Sequence, residues 1–229
     1  MSIRKFIARF LIIHCKLKNL HGGTLQKITK SLLDEIDLQH FRERNTCPMV
    51  ASRDESFSFV YSKRCSPDPV TYLEFGVYNS ESMRKWIALS KDDRSRFYGF
   101  DSFEGLPEAW NAEKGKGYFD AGGKAPEIGD NRVTFIKGWF EKTVPNFVMD
   151  FSPQHRLIIH LDADLYASTI IPLVYLDRFI TAGTVLIFDE FYDRDHEFKA
   201  FKDYMEISRK KFQALCQVDD FAKVSIEML

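Results

Sequence analysis

Two rhythms of apolar and polar residues divide the chain near Pro67. Through residues 1–65 the apolar positions recur at helical spacing. Ile3, Phe6, Ile7, Phe10, Ile13 and Leu17 fall on one stripe, residues 24–37 repeat the pattern, and residues 56–64 give a shorter third segment. Beyond Pro67 and Pro69, short apolar runs of the kind a buried strand shows alternate with helical patterns. Strands are expected at 70–76, 96–101, 133–138, 157–161 and 184–188, and helices at 80–90, up to 149, 168–180 and 196–210. Two last apolar runs, 212–218 and 221–228, meet at Asp219-Asp220, which is the pattern of a hairpin. This alternation predicts an α/β fold with a mostly parallel, doubly wound sheet and an antiparallel strand near one edge. The expected organisation is an N-terminal helical segment over 1–65 and an α/β domain over 66–229.

One connection is too long to be passive. Residues 104–132 hold six of the twelve glycines. Loops of this length inside compact domains are usually lids, binding loops or disordered segments. Glycines permit hinges, and Trp110, Tyr118 and Phe119 supply apolar surface to close over a ligand. The alternative is a surface insertion with one short helix at 107–114, and the sequence leaves both open.

Composition narrows the class. With 229 residues, 45% hydrophobic and 28% charged, the chain matches a soluble globular protein able to bury a substantial core. No apolar run approaches a transmembrane length. A net charge of −1 gives no reason to expect nucleic acid as a partner. Cys15, Cys47, Cys65 and Cys216 are irregularly spaced and form no CxxC pair, so a reduced, cytoplasmic setting is expected rather than disulfides or zinc. Charge is uneven, however: residues 1–33 hold seven Lys or Arg and no Asp or Glu. That basic, amphipathic start is expected to pack on the domain or on a second copy as a homo-oligomer contact. A peripheral membrane helix over residues 1–20 is the alternative.

Candidate chemistry gathers where the expected strands leave the sheet, the edge at which open α/β sheets bind ligands. After the first strand, Glu74-Phe75-Gly76 leads to Ser82 at the start of a helix. Gly76 allows a tight turn, and the helix N-terminus offers N–H groups to a carboxylate or phosphate. The GxGxxG fingerprint is absent. Asp101 ends the second strand, 25 residues after Gly76, close to the spacing of an acid that binds a ribose diol. Together these signals indicate a nucleoside-bearing cofactor without a pyrophosphate fingerprint. S-adenosylmethionine fits, with Glu74 placed for its ammonium group. Asp162, Asp164, Asp189 and Glu190 end two further strands; Asp162 and Asp189 are 27 residues apart, about one βαβ unit. Such an acidic rim suits a hard cation or acid–base chemistry.

The blocks EFGVYNSES, YGFDSFEGLPEAW, KGWFEKTVP, HLDADLYAST and GTVLIFDEFYD resemble the macrocin O-methyltransferase (TylF-type) family over roughly residues 70–210. The resemblance implies a Rossmann-like class I S-adenosylmethionine-dependent O-methyltransferase that uses Mg²⁺ and methylates sugar hydroxyls of natural products. It places Glu74, Gly76 and Ser82 in the cofactor turn, Asp101 and Ser102 at the ribose, and Gly138 and Trp139 near the adenine. It makes Asp162, Asp189 and Glu190 the metal ligands, with Asp162 also the catalytic base. The acceptor would be a small molecule or glycan. The turn NSES departs from the family's more glycine-rich pattern. Two other readings stand beside it: a glycosyltransferase using Asp162-Ala163-Asp164 as a DxD metal motif, and a methyltransferase-like scaffold without activity.

Overall fold

The computed structural model describes residues 22–229 and divides into two compact units, one ending at Asn45 and the other spanning Thr46–Leu229. The described part of the first unit is helix α1, Gly22–Arg44, with Arg42 and Arg44 in its last turn where cations offset the helix dipole. The expected stripe over residues 3–17, with its oligomer and membrane readings, lies outside the described residues. In the second unit, helix α2 spans Arg53–Val60 and is followed by one wider turn, Tyr61–Cys65. Residues 46–65, grouped by their helical rhythm with the N-terminal segment, therefore belong with the sheet. The reason is burial: Phe57, Val60 and Cys65 enter its core.

Seven strands form one sheet in the order β3-β2-β1-β4-β5-β7-β6. They are β1 Val70–Phe75, β2 Arg96–Asp101, β3 Val133–Lys137, β4 Arg156–Leu161, β5 Val185–Phe188, β6 Phe212–Val218 and β7 Lys223–Met228. β1 to β5 are parallel, whereas β7 runs antiparallel between β5 and β6. This is the expected mostly parallel sheet with an antiparallel hairpin, the arrangement that the resemblance to a Rossmann-like class I methyltransferase implies. β1 and β5 are buried along their whole length, as central parallel strands are. The hairpin turns through Asp219, Asp220 and Phe221, all at positive φ.

Helices α3 Glu81–Leu89, α4 Phe140–Asp150, α5 Tyr166–Tyr175 and α6 Glu197–Ser208 complete the unit. α5 stops earlier than the expected 168–180. A 3₁₀ turn, Asp177–Phe179, takes over, and Lys210 Nζ donates to the carbonyls of Asp177 and Ile180 at 2.6 and 2.7 Å. One sheet face packs Tyr72, Phe97, Ile158 and Ile187 under α2 and α3, where Phe57 and Trp86 lie 5.8 Å apart by ring centroid. The strand order reverses between β1 and β4, so the ligand crevice of an open α/β sheet belongs there.

Candidate active site

A cavity of about 670 Å³ opens at the carboxyl ends of β1, β2, β4 and β5. Its wall includes Glu74, Gly76, Ser82, Asp101, Ser102, Trp139, Asp162, Asp189 and Glu190. Of the residues assigned from sequence to the cofactor or the metal, Gly138 alone is missing from that wall. Its φ of +138° and the Thr143 methyl 2.9 Å from where a Cβ would sit give it a role in the turn into α4.

The Gly76 turn is built by its neighbours. Gly76 has φ +90°, and a Cβ there would come within 1.8 Å of the carbonyl oxygen of Asp162. Only glycine lets β1 leave the sheet so close to the end of β4. Asp101 Oδ2 accepts the N–H groups of Val77 and Tyr78 at 2.8 and 2.9 Å, and Oδ1 accepts that of Phe103 at 2.7 Å. The acid expected at the ribose thus also holds the turn that would cradle the cofactor. Tyr78 and Ser80 take positive φ of 46° and 66° in this turn. Such strain persists only where surrounding structure imposes it.

The acidic rim is crowded and short of positive charge. Donor atoms of His160, Asp162 and Asp189 lie within 4.8 Å of one another. His160 Nε2 and Asp189 Oδ1 are buried without a hydrogen-bond partner, 3.8 Å apart. Burial, then the charges of Asp189 and Asp164, pushes the Asp162 carboxyl well above the usual carboxylate range. Its side chain keeps 25% exposure toward the cavity. Burial, then Glu190, raises Asp164 to about 7, and burial also raises Glu190 and the hidden Glu197. Asp189 is the exception. Burial works against its charge too, but His160 and Lys223, whose Nζ donates to Oδ2 at 2.7 Å, outweigh it and hold the carboxyl low. Carboxylates crowded in this way need a cation or protons, and the donor set suits a divalent cation. Glu190, expected as third ligand, lies on the cavity wall outside the three-donor cluster and pairs with Tyr192. Glu197 Oε2 accepts the Glu190 N–H at 2.9 Å and fixes the backbone there.

A buried polar chain links the two halves. The Tyr72 hydroxyl lies 3.2 Å from Glu74 Oε2 and 2.9 Å from His160 Nδ1. Burial pushes the Glu74 carboxyl well above its usual range, against the pull of Tyr72 and Arg53. With the Tyr72 O–H donated to Glu74 Oε2, His160 keeps its proton on Nδ1 against the Tyr72 oxygen, which leaves the Nε2 lone pair facing Asp189 and open to a cation. Tyr72, His160, Lys223 and Arg53 were not singled out from the sequence. A polar His160 inside the apolar run LIIHL was the available signal.

The 104–132 loop has structure of its own. Leu106, Trp110 and Leu165 form a small buried cluster with Phe119 against it, and Lys114 Nζ sits 4.1 Å from the Trp110 ring. The expected short helix at 107–114 is absent: turns replace it, with the N–H of Trp110 donating to the Lys114 carbonyl at 2.9 Å. Gly105, Leu106, Lys114 and Phe119 face the cavity.

Comparisons with known proteins bear on the family and the fold. The family model of macrocin O-methyltransferase (TylF) matches residues 69–224. A curated relative from Streptomyces olivaceus, named 8-demethyl-8-(2,3-dimethoxy-alpha-L-rhamnosyl)-tetracenomycin-C 4'-O-methyltransferase, is 30% identical over 148 residues. That match takes in 54% of this chain and 53% of the relative, so the chain spans about half the length of the curated relative it matches. Among solved structures, a calicheamicin methyltransferase aligns with TM-score 0.57 at 18% identity, covering 98% of this chain and 90% of that one. The O-methyltransferase NovP aligns with TM-score 0.58 at 19% identity, covering 76% of each chain. At these identities the two structures support the fold.

Proposed function

This chain belongs to the macrocin O-methyltransferase (TylF) family, and from that premise we propose that it moves a methyl group from S-adenosylmethionine to a hydroxyl of a sugar carried on a small molecule or glycan. The observation that carries the reading is one cavity joining the Gly76 turn and Asp101 to the acidic rim of Asp162 and Asp189. S-adenosylmethionine supplies the methyl carbon, and a divalent cation such as Mg²⁺ at the rim supplies acidification and orientation of the acceptor hydroxyl.

The residues divide the work. The N–H groups at the start of α3 receive the cofactor's carboxylate, and Glu74 receives its ammonium. Asp101 and Ser102 face the ribose, and Trp139 faces the base. His160, Asp162 and Asp189 would hold the cation, with Glu190 on the same cavity wall beside them. Asp162, partly exposed to the cavity, would take the acceptor hydroxyl's proton as the methyl group passes from sulfur to that oxygen, with S-adenosylhomocysteine as the product. The rhamnosyl acceptor in the name of the curated relative supports a sugar hydroxyl as the target class. The DxD glycosyltransferase reading loses its support with the family assignment.

The test is calorimetric binding of S-adenosylhomocysteine, followed by methyl transfer to a panel of rhamnosylated and other sugar-bearing acceptors, read by mass with and without a chelator. Binding and a mass gain of one methylene that the chelator abolishes are expected. Binding without transfer to any acceptor would favour the inactive scaffold, and no binding would overturn the cofactor reading.

A further inference from the structure

Arg53 stands where the two halves of the site meet. Its NH1 lies 3.6 Å from Asp162 Oδ2 and 3.6 Å from Asp189 Oδ2, while NH2 lies 3.5 Å from Glu81 Oε2 in the first turn of α3. One guanidinium therefore bridges the acidic rim and the helix N-terminus beside the Gly76 turn. A divalent cation that took an oxygen from each of Asp162 and Asp189 would need the space this NH1 faces. The two positive groups compete for the same pair of carboxylates, and like charges so close repel.

The grip of Arg53 on the rim is loose. Its contacts are all 3.5 Å or longer, against about 2.7–2.9 Å for a strong charge-assisted bond. Lys223, by contrast, holds Asp189 at 2.7 Å. The Arg53 side chain is 28% exposed on the cavity wall. Its backbone is anchored: the Ser52 hydroxyl accepts the Glu55 N–H at 3.2 Å, and Glu55 Oε2 accepts the Ala51 N–H at 2.8 Å. Only the side chain has to move. Glu81, its partner at the α3 end, is largely exposed, so an anion seated among the N–H groups there would be the stronger partner.

We infer that Arg53 is a displaceable counter-cation that couples cofactor binding to metal binding. Without cofactor it neutralises Asp162 and Asp189. The carboxylate of the bound cofactor draws the guanidinium toward α3 and frees both aspartates for a divalent cation. The inference rests on the S-adenosylmethionine reading above. By linkage, each ligand then tightens the other by the same factor.

The experiment titrates Mg²⁺ into the native protein alone, with saturating S-adenosylhomocysteine, and with saturating 5′-methylthioadenosine. The last keeps the nucleoside and sulfur but lacks the amino-acid carboxylate. S-adenosylhomocysteine should tighten Mg²⁺ binding about tenfold, within the usual range of coupling between sites, and methylthioadenosine should leave it almost unchanged. Arg53→Gln should bind Mg²⁺ without cofactor as tightly as the native protein does with S-adenosylhomocysteine, and should show no further tightening. Equal Mg²⁺ affinity with and without S-adenosylhomocysteine, equal tightening by methylthioadenosine, or full coupling in Arg53→Gln would overturn the inference. The methylthioadenosine arm uses only native protein, so it stands if the variant fails to fold. Loss of S-adenosylhomocysteine binding itself is read in a separate titration and overturns the cofactor reading instead. Absence of Mg²⁺ binding in every state overturns both the metal reading and the coupling.

Discussion

The indole N–H of Trp110 donates to Asp193 Oδ2 at 2.7 Å, tying the middle of the 104–132 loop to the segment that follows β5. The loop therefore lies against the acidic rim with a specific bond as well as an apolar cluster. Hydrogen bonds to charged groups contribute about 1.5–3 kcal/mol. Trp110→Phe keeps an aromatic, if smaller, ring in the cluster and removes the donor. Amide exchange across 104–132 should quicken in this variant, while exchange in β1 and β4 stays at its native rate. Unchanged exchange in the loop would show that the apolar cluster alone holds it.

Asp101 holds three backbone N–H groups, so its replacement should do more than remove a ribose contact. Asp101→Ala leaves the amides of Val77, Tyr78 and Phe103 without their acceptor. The expected result is a loss of S-adenosylhomocysteine affinity of about 1.5–3 kcal/mol or more, together with a lower melting temperature in the absence of ligand. A variant that lost affinity at unchanged melting temperature would assign Asp101 to the ribose alone.

How far the sequence reveals this site depends on how local each signal is. Strand positions follow from runs such as Leu157-Ile158-Ile159, and the carboxylates at strand ends follow from the strands. Gly76 reads from sequence as a close approach to a ligand; the structure shows an approach to the Asp162 carbonyl. The register is not local. Glu74 on β1 stands beside His160 on β4, and Lys223 reaches Asp189 from the antiparallel β7. No spacing along the chain marks such pairs. Arg53 escapes for another reason: it sits on α2, in a stretch whose helical rhythm grouped it with the N-terminal segment rather than with the sheet. The loop turns at 107–114 also defeat a periodicity argument, because their bonds run between close neighbours in no repeating pattern.

Glu74 supplies a pH signature. Burial raises its folded-state pKa well above its ordinary value, although Tyr72 and Arg53 pull the other way. A group whose pKa is raised on folding contributes stability at low pH that is lost as pH climbs from about 4.3, the unfolded value, through the folded pKa. Native stability without ligands should therefore fall on going from pH 5 to pH 8 through this group. Glu74→Gln removes the titration, so its melting temperature should fall less over that interval than the native one. Parallel slopes in the two proteins would mean that Glu74 stays ionised in the fold.

Asp162 carries the last prediction, in which stability and function should move in opposite directions. Asp162, Asp164, Asp189 and Glu190 crowd one rim, where Lys223 holds Asp189 at 2.7 Å while Arg53 stays at 3.6 Å from Asp162 and Asp189. Asp162→Asn removes, at nearly constant shape, a carboxyl whose ionisation burial and its acidic neighbours oppose. Without a divalent cation, the variant should melt higher than the native protein. A gain of 1 kcal/mol would correspond to about 2–4 °C at this chain length. The same change removes a ligand and the proposed base, so methyl transfer should stop and Mg²⁺ should no longer raise the melting temperature. Glu190→Gln should behave differently, because Glu190 lies outside the three-donor cluster. A residual rate that extra Mg²⁺ partly restores is expected there. Native-level transfer by Asp162→Asn, or full activity of the native protein with its metal content measured at zero, would remove the cation from the mechanism. The first result would also dismiss Asp162 as the base, whereas the second would leave it acting alone.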